Sequence, residues 1–182
     1  MSKVYIFLAD GFEEIEGLTC VDLLRRAGID ITMVSITENV EITGARGIKV
    51  LADTTISADI SDGDMLILPG GMPGTTNLKN CEAVKNAINA YNEAGKYLAA
   101  ICAAPTVFGE MGLLRGKKAT CYPGLEAGLI DAMLPGEDKK VIVDDKFITS
   151  RGLGTAIEFA LKLIEILIDT KKADEIAKSI VY

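Results

Sequence analysis

Short apolar runs alternate with amphipathic stretches along this chain, and that rhythm restricts its fold more than any single residue does. Residues 4–9, 30–36, 65–68 and 97–101 read as strands, too short for independent helices and bounded by turn residues. Residues 14–27 read as a helix stopped by Gly28. Residues 81–93 read as another, with Val84, Ile88 and Tyr91 on one face and Gly95 as its stop. Residues 105–113 follow Pro105 into a helix, and residues 118–121 into a strand. Residues 38–64 are turn-rich, with short strand candidates at 48–51 and near Ile56. Runs 140–143 and 147–150 flank Asp144-Asp145-Lys146 as a hairpin. The clearest helix is 155–168, striped by Ala156, Phe159, Ala160, Leu163 and Leu167, and a last short one covers 173–179. Strands joined by helices imply parallel pairing with right-handed crossovers, hence an α/β protein with helices on both faces of a mostly parallel sheet. With no linker or repeat, residues 1–182 are expected to form one domain.

In such folds the ligand crevice lies outside the carboxyl ends of the strands. Three loops are expected there, at residues 10–16, 68–74 and 101–105. A formal net charge of −7 disfavours nucleic acid and anionic lipid as partners. No window approaches 18 uncharged apolar residues, and the first ten residues lack a signal-peptide pattern, so the expectation is a cytoplasmic protein without a membrane anchor. Cys20, Cys81, Cys102 and Cys121 are scattered without a C-x-x-C pair, which argues against both zinc and a disulfide framework.

Cys102 stands where the apolar run 97–101 meets Pro105, flanked at two residues' distance by Ala100 and Ala104. Small neighbours at those positions suit a sharp strand-turn-helix elbow that holds a nucleophile in a strained conformation. Backbone N–H groups and a helix N-terminus there are expected to lower the thiol pKa. The alternative is an inert core cysteine. The chain contains no histidine, so sulfur has to be activated without imidazole. Gly70 and Gly71, after the run 65–68, let backbone N–H groups approach a developing oxyanion, or else form a plain exit turn. Asp10, Glu13, Glu14 and Glu16 gather at the start of the first helix. For Glu13 and Glu14, complementation of the helix dipole suffices as an account. Glu16 lies further in. Beside Cys102 it would share one proton with the sulfur, which would raise its own pKa and let it donate a hydrogen bond to a thiolate.

Five segments in this order resemble the DJ-1/ThiJ/PfpI superfamily, in its DJ-1-like branch: residues 9–16, 21–28, 68–71, 99–105 and 149–155. The resemblance covers nearly the whole chain. It implies a flavodoxin-like three-layer sandwich that forms a homodimer and uses no metal or organic cofactor. It also implies Cys102 as the reactive thiol, Glu16 as its protonated partner, and the N–H groups of Gly71 and Ala103 as the oxyanion site. Arg46 then corresponds to an arginine at the pocket mouth, and Arg26 to one near the dimer interface.

Two departures from the family pattern bear on chemistry. The protease-like branch carries histidine directly after the cysteine, where this chain has Ala103, so a cysteine-histidine peptidase is excluded. Many DJ-1-like members carry a pocket histidine before the proline matched by Pro123, where this chain has Tyr122, a poor base at neutral pH. Two functional expectations follow. One is cofactor-independent action on a small reactive dicarbonyl or a glycated protein, of glyoxalase III or deglycase type. The other is a non-enzymatic oxidative-stress sensor or chaperone-like protein whose Cys102 oxidises to sulfinate.

Overall fold

Alternate residues of the inner strands enter two separate cores, which is why these strands are apolar at nearly every position. The computed structural model describes residues 2–136 and 138–182. Strand β1 (Lys3–Leu8) sends Val4, Ile6 and Leu8 to one core and Tyr5 and Phe7 to the other. Strand β6 (Met65–Leu68) divides Met65 and Ile67 from Leu66 and Leu68 in the same way. So does β7 (Tyr97–Ile101), with Ala99 and Ile101 on one side and Leu98 and Ala100 on the other. A two-residue period with both faces covered is the signature of a buried parallel sheet.

The remaining strands are β2 (Asp30–Ser35), β3 (Glu41–Thr43), β4 (Lys49–Leu51), β5 (Thr54–Thr55), β8 (Val141–Asp144) and β9 (Phe147–Ser150). The seven-stranded sheet runs β5-β2-β1-β6-β7-β9-β8, parallel except for the β8–β9 hairpin at one edge. β3 and β4 form a separate antiparallel pair. Helices α1 (Glu14–Arg26), α5 (Ala156–Leu167) and α6 (Thr170–Ser179) supply the first core. Helices α2 (Gly74–Asn80), α3 (Glu82–Glu93) and α4 (Pro105–Glu110) supply the second. From β1 the chain steps to β2 on one side and later returns to β6 on the other, so the order reverses between β1 and β6. A ligand site is expected outside the carboxyl ends at such a reversal.

Two expectations change. Residues 118–121 do not form a strand: only an isolated bridge joins Lys118 to Met133. The backbone is satisfied by side chains instead, with Lys118 N–H donating to Asp144 Oδ2 at 2.8 Å and Thr120 N–H to Thr149 Oγ1 at 3.0 Å. Helix α2 was not expected, since Pro73-Gly74-Thr75-Thr76 carries poor helix formers. It is held by burial of Leu78 in the second core. Among the described residues no helix is long and apolar enough to cross a membrane.

Candidate active site

Cys102 follows β7 directly and adopts φ +65°, a left-handed conformation unusual for any residue with a side chain. Its neighbours over-determine that strain. Its N–H donates to the Ser150 carbonyl at 3.0 Å, and its own carbonyl accepts the Tyr122 N–H at 2.7 Å. Ala100 and Ala104 are fully buried, leaving no room for larger side chains beside the turn. The result is a half-buried cysteine at the turn just ahead of α4.

Glu16 reaches the same point from the first turns of α1. It is completely buried, and its Oε2 accepts the Gly70 N–H at 2.9 Å. The Cys102 thiol lies beside the same carboxyl and shifts its acidity. Glu16 Oε1 has no hydrogen-bond partner among the described residues. Gly70 is required by space: a Cβ there would lie 2.5 Å from Cys102 Cβ and 2.6 Å from Glu16 Oε2. Gly71 has φ +92°, and a Cβ on it would meet the Glu13 nitrogen at 2.3 Å. The N–H groups of Gly71 and Ala103 lie close enough to the Cys102 sulfur to favour its anion. Cys102, Glu16, Gly70, Gly71 and Ala103 therefore form one constellation, built from the ends of β1, β6 and β7.

The electrostatics of the pair decide what this constellation can do. Burial pushes the Glu16 carboxyl up to about 7, against the pull of its hydrogen bonds from Cys102 and Gly70. Burial and then the adjoining Glu16 carboxylate push the Cys102 thiol up to about 12, while the Gly71 and Ala103 N–H groups pull it down. The helix terminus thus does not lower the thiol pKa by itself, contrary to the expectation from sequence. Between those two values the pair holds one proton and one negative charge. That order of acidities rests the proton on sulfur and the charge on Glu16; when the proton passes to Glu16, the carboxyl becomes a hydrogen-bond donor and sulfur the anion.

The rim is arranged differently from the sequence reading. Glu14 does more than complement the helix dipole: its Oε1 accepts the Arg46 N–H at 2.8 Å and the Ile48 N–H at 3.3 Å, tying the β3–β4 hairpin to α1. Asp10 does the same through Thr43 N–H at 2.8 Å. Arg46 ion-pairs with Glu13 at the rim. Its guanidinium lies 3.5 Å from Glu13 on the outer side and is largely exposed. Arg26 pairs with Asp22 one turn earlier on α1 at 2.7 Å. Tyr122 borders the pocket with its ring against Gly152, a residue whose added Cβ would stand 4.0 Å from the sulfur. Gly152 was not singled out from sequence, although the segment 149–155 that holds it carries part of the family resemblance. No group of three or more Cys, Asp or Glu among the described residues is arranged to hold a metal.

A mostly parallel α/β sandwich with a cysteine at a left-handed strand-to-helix turn, partnered by a buried carboxyl, defines the class. The chain belongs to the DJ-1/PfpI family, whose model matches residues 2–166. It is 42% identical over 182 residues to the Arabidopsis thaliana protein named DJ-1 homolog B, covering 98% of this chain but 41% of that one. The chain thus spans less than half the length of that plant relative. It is 32% identical to the Caenorhabditis elegans protein named glutathione-independent glyoxalase DJR-1.2, covering 97% of this chain and 94% of that one. Among solved structures, oxidized Toxoplasma gondii DJ-1 superposes with a TM-score of 0.92 at 37% identity, covering 100% of this chain and 99% of the other.

Proposed function

We propose that this protein converts small 2-oxoaldehydes such as methylglyoxal to 2-hydroxy acids, using Cys102 as nucleophile and Glu16 as proton carrier. The observation that carries this reading is the convergence of one carboxyl and two backbone N–H groups on a single strained thiol. The name of the nematode relative agrees with it.

The reaction begins when the proton of the singly charged pair passes from the Cys102 sulfur to the Glu16 carboxylate. Sulfur adds to the aldehyde carbon, and the oxygen that gains the charge sits against the Gly71 and Ala103 N–H groups and takes the Glu16 proton. Glu16, now a carboxylate, removes the hydrogen from that carbon and returns it to the neighbouring carbonyl carbon, while the hydroxyl proton passes between the two oxygens. The first carbon is oxidised to a thioester and the second reduced to an alcohol, so no external redox partner is needed. Water cleaves the thioester, releasing the hydroxy acid and restoring the pair. Glycated proteins enter the same scheme wherever their adducts release the dicarbonyl. Purified protein should release lactate from methylglyoxal, and Cys102→Ser should abolish that release. Equal rates in the two proteins would remove the proposal.

A second reading draws on the same donors. A sulfinate on Cys102 would meet the Gly71 and Ala103 N–H groups and a protonated Glu16, which favours sensing of oxidants. Intact mass after mild peroxide tests it: a gain of two oxygens confined to Cys102 supports sensing, and an unselective gain opposes it. A homodimer accounts for the apolar face near α1, where Ile15, Ile48, Ile157 and Val181 are exposed around a depression of about 650 Å3 that Arg26 also borders. Light scattering should give twice the chain mass, and Ile15→Glu should shift it toward one.

A further inference from the structure

The geometry points to a recognition subsite beside Cys102, in a cavity of about 260 Å3 between α2, α4 and residues 124–128, that takes the hydroxyl-bearing chain of a sugar-derived 2-oxoaldehyde. The inference rests on the carbonyl chemistry proposed above and narrows its substrate class to the longer members. Ala103 belongs to both places, since its N–H faces the sulfur while the residue lines the cavity. Met72, which follows the other donor Gly71, lines it as well. The cavity thus shares Ala103 with one donor and adjoins the other through Met72. The loop that closes the cavity is fixed relative to the sulfur, because Tyr122 N–H holds the Cys102 carbonyl.

The lining matches a carbon chain that carries hydroxyls. Met72, Leu125 and Ala127 offer apolar surface to C–H faces, and Thr76 and Thr106 offer hydroxyl oxygens. The Thr76 hydroxyl donates to Met72 Sδ at 3.9 Å and the Thr106 hydroxyl to the Ala103 carbonyl at 2.7 Å, so the oxygen of each is left as an acceptor for a ligand hydroxyl. Among the described residues the only charges on the wall are Lys79 and Glu110, paired with each other, so they give the site no net charge with which to select a phosphorylated carbonyl. The volume approaches the lower end of small-molecule sites, roughly 300 Å3, and exceeds what a three-carbon substrate anchored on sulfur needs.

The test is protection of Cys102 from iodoacetamide, read by intact mass, with 3-deoxyglucosone (six carbons) and methylglyoxal (three carbons) as protectants. Each is corrected for its own adduct formation with N-acetylcysteine. The six-carbon compound should protect at about tenfold lower corrected concentration. Thr76→Val removes a lining hydroxyl and Leu125→Trp fills the cavity; each should narrow that preference about two- to tenfold. Equal corrected protection in the unaltered protein, or a preference that neither variant moves, overturns the subsite. Absence of lactate release with the preference intact would remove the reaction and leave the subsite standing.

Discussion

Two carboxylates on either side of the first turn of α1 show how one helix serves both architecture and chemistry. Glu14 and Glu16 are two residues apart and both are buried, yet their acidities move in opposite directions. Burial pushes Glu14 up, but its own N–H and those of Arg46 and Ile48, with the Arg46 charge, outweigh this and hold it below the usual carboxylate range. Glu16 has one backbone N–H and a thiol, and burial prevails. Burial alone therefore does not mark a reactive acid; the number of donors left to it does. Glu14 holds the hairpin with its charge, while Glu16 retains a proton that can be moved.

The contrast can be broken most strongly from the glycine side. Gly70→Ala drives a methyl group against Cys102 Cβ and Glu16 Oε2, so it should cost about 1–3 kcal/mol and abolish selective alkylation of Cys102. Urea midpoints and iodoacetamide mass shifts check both parts.

Glu16→Gln should reveal a pH-dependent stability of similar size. Because the folded pKa is raised, the folded state binds more protons than the unfolded chain between about pH 4.5 and about 7, and stability falls as pH rises through that window. The loss approaches about 3 kcal/mol as an upper bound. Removing the group should raise the melting temperature by several degrees at pH 8 relative to the unaltered protein, with little gain at pH 4.5. In the same variant the step near pH 7 in Cys102 alkylation should vanish; its persistence would separate that step from the carboxyl.

Glu14→Gln should behave in the opposite sense. Its lowered pKa contributes stability above about pH 4.5 that is lost as acid protonates it, so the variant should be weakest relative to the unaltered protein at neutral pH. Weakening two charge-assisted hydrogen bonds suggests about 2 kcal/mol, with faster amide exchange at Arg46 and Ile48 as its local sign. The smallest effect belongs to Arg46→Ala. An exposed pair at 3.5 Å should change stability by no more than about 0.5 kcal/mol and leave the alkylation profile near pH 7 in place.

Much of this arrangement was legible in the chain itself. β6 and β7 begin and end where their apolar runs do, and the stop at Gly28 places the end of α1. The closeness of Glu16 to Cys102 followed from loops expected at one end of a parallel sheet, strengthened by the family resemblance. The role of Glu14 did not follow, because its donors come from Arg46 and Ile48, more than thirty positions away, and no local pattern announces them. The strand expected at 118–121 failed for a related reason. Its alternation of residues was adequate, but the neighbouring position beside β7 goes to β9, and distant side chains satisfy the backbone in its place. The position of Arg46 beside Glu13 likewise depends on the hairpin's tether to α1.

The left-handed backbone at position 102 has an evolutionary consequence. Glycine would occupy that turn without the steric conflict a side chain brings, so Cys102→Gly should give a protein that unfolds at higher denaturant while being chemically inert. Stability and reactivity are opposed at this one position. A lineage released from selection on the sulfur would gain durability by discarding it, so descendants keeping cysteine there have paid a continuing conformational penalty for a working thiol.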